Sequence, residues 1–187
     1  MDDPIHERGK AIEDLFFAAR DQQLLARLRE EMASEESREA LAGASGVSDP
    51  AVLDALLAIE VSPETLTSIG LIPLVAVAWA DSVMAEAEKN AILQAADIAG
   101  IKIGTASHAL LETWLTTAPK PELLAGWKSY IHSLKCTLEP EALFQLKTFI
   151  LDRAENVAQS AGSFLGLGSK ISDSERDVLD ELVQAFD

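Results

Sequence analysis

The chain is short of the residues that usually fix a chemistry. It has one cysteine, Cys136, in 187 residues. No intrachain disulfide can form, and a zinc site built on several thiolates within one chain is excluded. The expected role of that thiol is a small buried hydrophobe in a reducing, cytoplasmic compartment. Lys and Arg number 15 against 31 Asp and Glu, a formal charge of −16, and no basic residue lies between Arg38 and Lys89. Nucleic acid is therefore not an expected partner, because phosphate binding needs a basic stripe or patch. The same field repels an anionic membrane surface and attracts divalent cations or a basic protein partner, and it also keeps a protein soluble. Long hydrophobic runs are missing as well. The longest, Ile69 to Ala80, is broken by Gly70 and Pro73. A bilayer span needs about 20 apolar residues, so no membrane insertion is expected and the run is a candidate core helix. Met1-Asp2-Asp3-Pro4 offers neither a basic region nor an apolar run, and no secretory leader is expected there. Sustained alternation of apolar and polar residues is absent too, which predicts no sheet.

What is present is helical punctuation. With 48% hydrophobic residues the chain can bury a real core. Proline follows Asp3, Asp49, Ser62 and Glu139, positions where it opens a helix at no cost in amides. Glycine is expected to close helices at Gly43, Gly46, Gly70, Gly100 and Gly162. The spacing predicts helices near 4–20, 22–32, 35–43, 50–59, 63–69, 72–80, 85–99, 105–117, 121–137, 140–162 and 173–186, with Asp21 and Ser34 as internal caps. The fold class is all-α: a helical bundle with an N-terminal helical arm over 1–60 packing on a helical domain over 61–187. In the arm, Ile12, Leu15, Phe16, Leu24, Leu25 and Leu28 form an apolar stripe that docks on the rest or receives a partner helix.

One helix-start pattern occurs twice. Met84-Ala85-Glu86-Ala87-Glu88-Lys89-Asn90 recurs as Ile171-Ser172-Asp173-Ser174-Glu175-Arg176-Asp177, a constant offset of 87 residues (84 to 171). Ala91, Ile92, Ala95, Ala96 and Ala99 then fall on Val178, Leu179, Leu182, Val183 and Phe186, apolar on apolar at helical spacing. Ser172 and Glu175 form a capping box. Glu88 occupies the same register, but Ala85 has no side chain with which to cap. Asp81, Glu86 and Glu88 thus crowd one loop and first turn. They either serve the helix N-terminus or hold a divalent cation, calcium or magnesium rather than zinc, since clustered oxygen ligands suit hard ions. An EF-hand is excluded: with Asp81 first, Val83, Ala85 and Ile92 fall at ligand positions.

The segment from Ile72 through Trp79-Ala80-Asp81-Ser82-Val83-Met84-Ala85-Glu86-Ala87-Glu88 to Gly100 resembles the signature of the tellurite-resistance TerB-like family. That signature is an Ala-Asp-Gly loop, an apolar residue, and a glutamate opening a helix, with a weaker second copy downstream. Here the second copy is Leu167-Gly168-Ser169-Lys170-Ile171-Ser172-Asp173-Ser174-Glu175. The resemblance covers about 66–100 and, more faintly, 160–186. It implies a pseudo-symmetric all-α bundle, acidic loops holding divalent metal, and a non-enzymatic bacterial role in stress-linked protein complexes. Asp81 and Glu88 match the first acidic motif and Glu175 the second. Ser82 stands where the family has glycine, and Gly168 where it has the second aspartate.

Other motifs carry less. The stretch Gly162-Ser163-Phe164-Leu165-Gly166-Leu167-Gly168-Ser169-Lys170 lacks P-loop spacing and follows a helix, so no nucleotide is expected. Phe164, Leu165 and Leu167 either tuck onto the core or form a contact surface. His6, His108 and His132 show no ligand spacing; His108 and His132 are expected as partly buried helix residues, and Trp79, Trp114 and Trp127 as core. Three functions stay open: a cytoplasmic interaction module tuned by a cation, a metal-dependent hydrolase joining those carboxylates to a histidine, and a structural subunit of a larger complex.

Overall fold

A computed structural model of the chain describes residues 20–28, 35–164 and 171–187, with 161–164 described for backbone only. Every regular element among the described residues is helical. In chain order they are α1 (20–28), α2 (Glu35–Ser45), α3 (Pro50–Ala58), a 3-10 stretch (Leu66–Leu71), α4 (Ile72–Ala78), α5 (Glu86–Ile98), α6 (Ala106–Thr116), α7 (Pro121–Lys135), α8 (Pro140–Phe164) and α9 (Asp173–Phe186). The expected helix over 4–20 and the Ser34 cap lie outside the described residues, the helix all but for Arg20. Asp21 is not a cap, because Arg20 before it is already helical.

Proline opens α3 and α8 as expected, and Asp49 Oδ1 accepts the Ala51 N–H at 2.9 Å. Pro63 opens only a turn. Thr65 Oγ1 accepts the Ser62 N–H at 2.7 Å and donates to the Glu60 carbonyl at 2.9 Å, so side-chain bonds hold this segment before the 3-10 stretch begins. Of the five glycines expected to close helices, Gly46 (φ +72°) and Gly100 (φ +81°) do so. Gly43, Gly70 and Gly162 lie inside helical stretches instead. A helical glycine costs about 1 kcal/mol, a penalty small enough for α2 and α8 to run on past it. After α3 the same closing geometry occurs without glycine: Glu60 takes φ +65°, and Val61 N–H reaches the Leu56 carbonyl at 3.0 Å.

The centre of the bundle is α4. Its Ile72, Leu74, Val75 and Val77 are fully buried, and it touches α5, α7, α8, α9 and the 3-10 stretch. The long α8 lies against α5 on one side and α9 on the other, while α3 packs on α7. The described part of the arm joins the same hydrophobic cluster through Leu25, Leu28, Leu41 and Leu56. No single described helix is long and apolar enough to cross a membrane; α2 and α3 reach that composition only as a pair bent by 102°.

Two residues depart from expectation. Cys136 and His132 are exposed, because the buried stripe of α7 runs through Leu123, Trp127, Ile131 and Leu134 and both fall off it. At Gly126 on the α3 side of α7, a Cβ would meet Ile59 Cδ1 at 2.9 Å and the Ala55 carbonyl oxygen at 3.3 Å. Gly126→Val is expected to destabilise the protein by about 1–3 kcal/mol through overpacking against a backbone oxygen. Urea unfolding measures it.

Candidate functional site

The loop from Asp81 to Ala85 links α4 to α5. Ser82 takes φ +68°, its N–H reaching the Trp79 carbonyl at 2.9 Å, and Asp81 Oδ1 accepts the Val83 N–H at 3.0 Å. Ser82 therefore holds the left-handed conformation that glycine adopts without strain. Ala85 is the N-cap of α5 in an extended conformation, and in place of a capping side chain Glu88 Oε2 accepts the Ala85 N–H at 2.7 Å. At α9 the box is complete: Ser172 Oγ accepts the Glu175 N–H at 3.2 Å, and Glu175 Oε2 accepts the Ser172 N–H at 2.6 Å. The helices begin at Glu86 and Asp173, equivalent positions of the repeat.

Folding brings the two repeat glutamates together. Glu88 is 4% exposed and Glu175 7% exposed. Burial, above all, pushes the Glu88 carboxyl up to about 7; the Ala85 amide opposes the shift, while the charges of Glu175 and Asp81 and a hydrogen bond with Glu175 add to it. Glu175 Oε1 is buried without a hydrogen-bond partner. Two adjacent buried carboxylates cannot both stay charged cheaply, and Glu88 accordingly keeps its proton up to about pH 7. Asp81 is exposed yet near enough for its charge to act on Glu88, whereas Glu86 is exposed and not among the groups that act on it.

No group of three or more His, Cys, Asp or Glu side chains among the described residues is arranged to hold a metal. A cation here would have Glu88 and Glu175 as its buried ligands and water for the rest. Magnesium tolerates such a set, since it keeps several waters and binds through one or two carboxylates. The orphaned Glu175 oxygen fits that use. By its spacing Glu175 reads as a capping glutamate, and the resemblance matches it to the second acidic motif; the signal that it also meets Glu88 was the 87-residue offset (88 to 175) itself.

The histidines go elsewhere. His108 is half-buried on α6, with Nε2 at 3.9 Å from Glu112 Oε1 and Nδ1 buried without a partner. It lines a groove of about 720 Å³ with Asp21, Lys89 and Glu112. His132 lines smaller clefts with Val52 and Asp49 or Lys128. Neither Asp81 nor Glu88 lines any of these. His6, Leu165 and Leu167 lie outside the described residues, as does the Phe164 side chain. Trp114 and Trp127 are buried, and Trp79 is half-buried with Nε1 donating to the Trp114 carbonyl at 2.8 Å. Comparison of the chain with protein-family models, curated proteins and solved structures returns no significant match.

Two outcomes follow. The folded Glu88 value lies above its ordinary 4.5, so the folded state holds the extra proton between pH 4.5 and about 7. Its stabilisation is complete below that window, falls as pH rises through it, and is gone above; the shift corresponds to at most about 3 kcal/mol. Urea unfolding at pH 5 and pH 7.5 should show wild type losing about 1–3 kcal/mol relative to Glu88→Gln over that interval. Ser82→Gly, by relieving the left-handed serine, should raise stability by about 1 kcal/mol, read as a higher denaturation midpoint.

Proposed function

We propose that this protein is a non-catalytic cytoplasmic interaction module of TerB-like type, in which a divalent cation held between Glu88 and Glu175, with Asp81 in support, tunes the binding of a protein partner. The observation that carries the reading is the buried Glu175 Oε1 left without a partner beside the Glu88 carboxylate. Below about pH 7 the proton on Glu88 relieves the repulsion between the two groups; a hard cation would take that proton's place and bridge them. The left-handed Ser82 supports the resemblance, since it keeps the loop shape that the family builds with glycine.

Two further features favour a module over an enzyme. The exposed side chain of Val83 tips the acidic loop, placing an apolar contact beside the carboxylates, and the strongly acidic surface favours a basic partner. The hydrolase alternative needs a histidine at the carboxylates, and the clefts lined by His108 and His132 do not include them. A part in stress-linked complexes, tellurite resistance among them, belongs to the same proposal.

Calorimetry on chelator-stripped protein tests it. Magnesium or calcium should give a saturable heat, weakened at least about tenfold in Glu175→Gln by loss of one charged ligand. Glu86→Gln should leave the affinity unchanged. Equal heats for wild type and Glu175→Gln would remove the bridge.

A further inference from the structure

The groove of about 720 Å³ lined by His108 is bounded by three helices. Asp21 and Leu25 come from α1, Lys89 from the start of α5, and Ala109 and Glu112 from α6, with Ile103 on the loop before it. Its volume is within the roughly 300–1,000 Å³ typical of small-molecule sites. Part of its lining is apolar: Leu25 and Ala109 are buried, and Ile103 is left 78% exposed.

The charged part is less usual. Asp21, Lys89 and Glu112 are all half-buried, so water screens each of them incompletely. Charges so placed ordinarily pair. Here the side chains of Asp21 and Lys89 make no ion pair or hydrogen bond among the described residues, and Glu112 has only His108 Nε2 at 3.9 Å, beyond hydrogen-bonding reach. Both signs thus face one space without meeting across it. Lys89 is also the first cation in the chain after Arg38, so the positive pole is a local exception in a strongly negative field. Two hydroxyls add acceptors. Thr113 Oγ1 donates to the Ala109 carbonyl at 3.1 Å and Thr116 Oγ1 to the Glu112 carbonyl at 2.8 Å. With their protons committed to the helix, both oxygens can only accept from a ligand.

We propose that this groove binds a short zwitterionic peptide of two or three residues with an apolar side chain. Its ammonium lies at Asp21 and Glu112, its carboxylate at Lys89, its N–H groups donate to Thr113 and Thr116, and its side chain rests against Leu25, Ala109 and Ile103. A ligand of one charge would answer only one pole. A single amino acid would fill little of the volume and has no amide for the threonines. The groove shares no lining residue with the proposed cation site, so each reading stands or falls without the other.

Calorimetry on the full chain tests it with alanyl-leucine and alanyl-alanyl-leucine, each used free, N-acetylated and C-amidated. A free peptide should bind saturably with a Kd below about 1 mM, and each blocked form about tenfold more weakly, since blocking removes one charged contact. The blocked forms probe both poles on wild type, without any substitution. Lys89→Met should weaken the free peptide to the level of the amidated one and leave the amidated one unchanged. Asp21→Asn together with Glu112→Gln should do the same for the acetylated form. Glu122→Gln, exposed on α7 and outside the groove, should change nothing. The proposal is overturned by an absence of saturable heat from both free peptides up to about 5 mM, by equal binding of free and blocked forms, or by equal loss of every form in a Lys89→Met protein that keeps its helical circular dichroism.

Discussion

Two carboxylates in this bundle are each asked to do two things. Glu88 and Glu175 turn back to satisfy an N-cap amide, of Ala85 and Ser172 respectively, and in doing so become buried against one another. A helix N-terminus tolerates an anion because its unpaired amides carry partial positive charge. One such terminus can hold one buried carboxylate. When two termini converge, the favourable capping at each end is opposed by the repulsion between the charges, and the balance is set by a third species, proton or metal ion. The rest of the candidate chemistry depends on that conflict.

The two copies resolve it unequally. Ser172 caps α9 with its own hydroxyl, so the amide of Glu175 has an acceptor there. Ala85 has nothing to offer the corresponding amide of Glu88, and α5 relies on the glutamate and on a loop shaped by Asp81 and Ser82. Beyond the caps the helices share a register and differ in volume: Ala95 and Ala96 where α9 has Leu182 and Val183. Small residues let α5 lie close along α8, while larger ones let α9 span contacts to α4, α7 and α8. The repeat is a repeat of helix starts, with different packing built upon each.

Much of this was legible in the chain because capping is local. Proline after Asp49 and Glu139, and glutamate three residues into α5 and α9, act within one turn, and the helices begin where those residues say. Glycine proved a poorer guide, since its penalty of about 1 kcal/mol inside a helix is small enough for the chain to run on through Gly43, Gly70 and Gly162. The face on which Cys136 and His132 lie depended on which α7 residues meet α3 and α4, a tertiary matter. So did the acidic site. Proximity in sequence grouped Glu86 with Asp81 and Glu88; in the fold Glu86 is exposed while Glu88 is buried, as Glu175 is, because on the first turn of a helix residues two apart point to different faces.

The difference between those two groupings is one of kind. A cluster drawn from one loop binds its ion as a local chelate and changes little else. A pair drawn from residues 88 and 175 joins segments that are remote in the chain, so whatever occupies it acts on the arrangement of the helices themselves. An ion there is favoured only to the extent that the two helix starts are held together, and by the same linkage it favours the state in which they are. The groove lined by Lys89, His108 and Glu112 includes neither member of the pair.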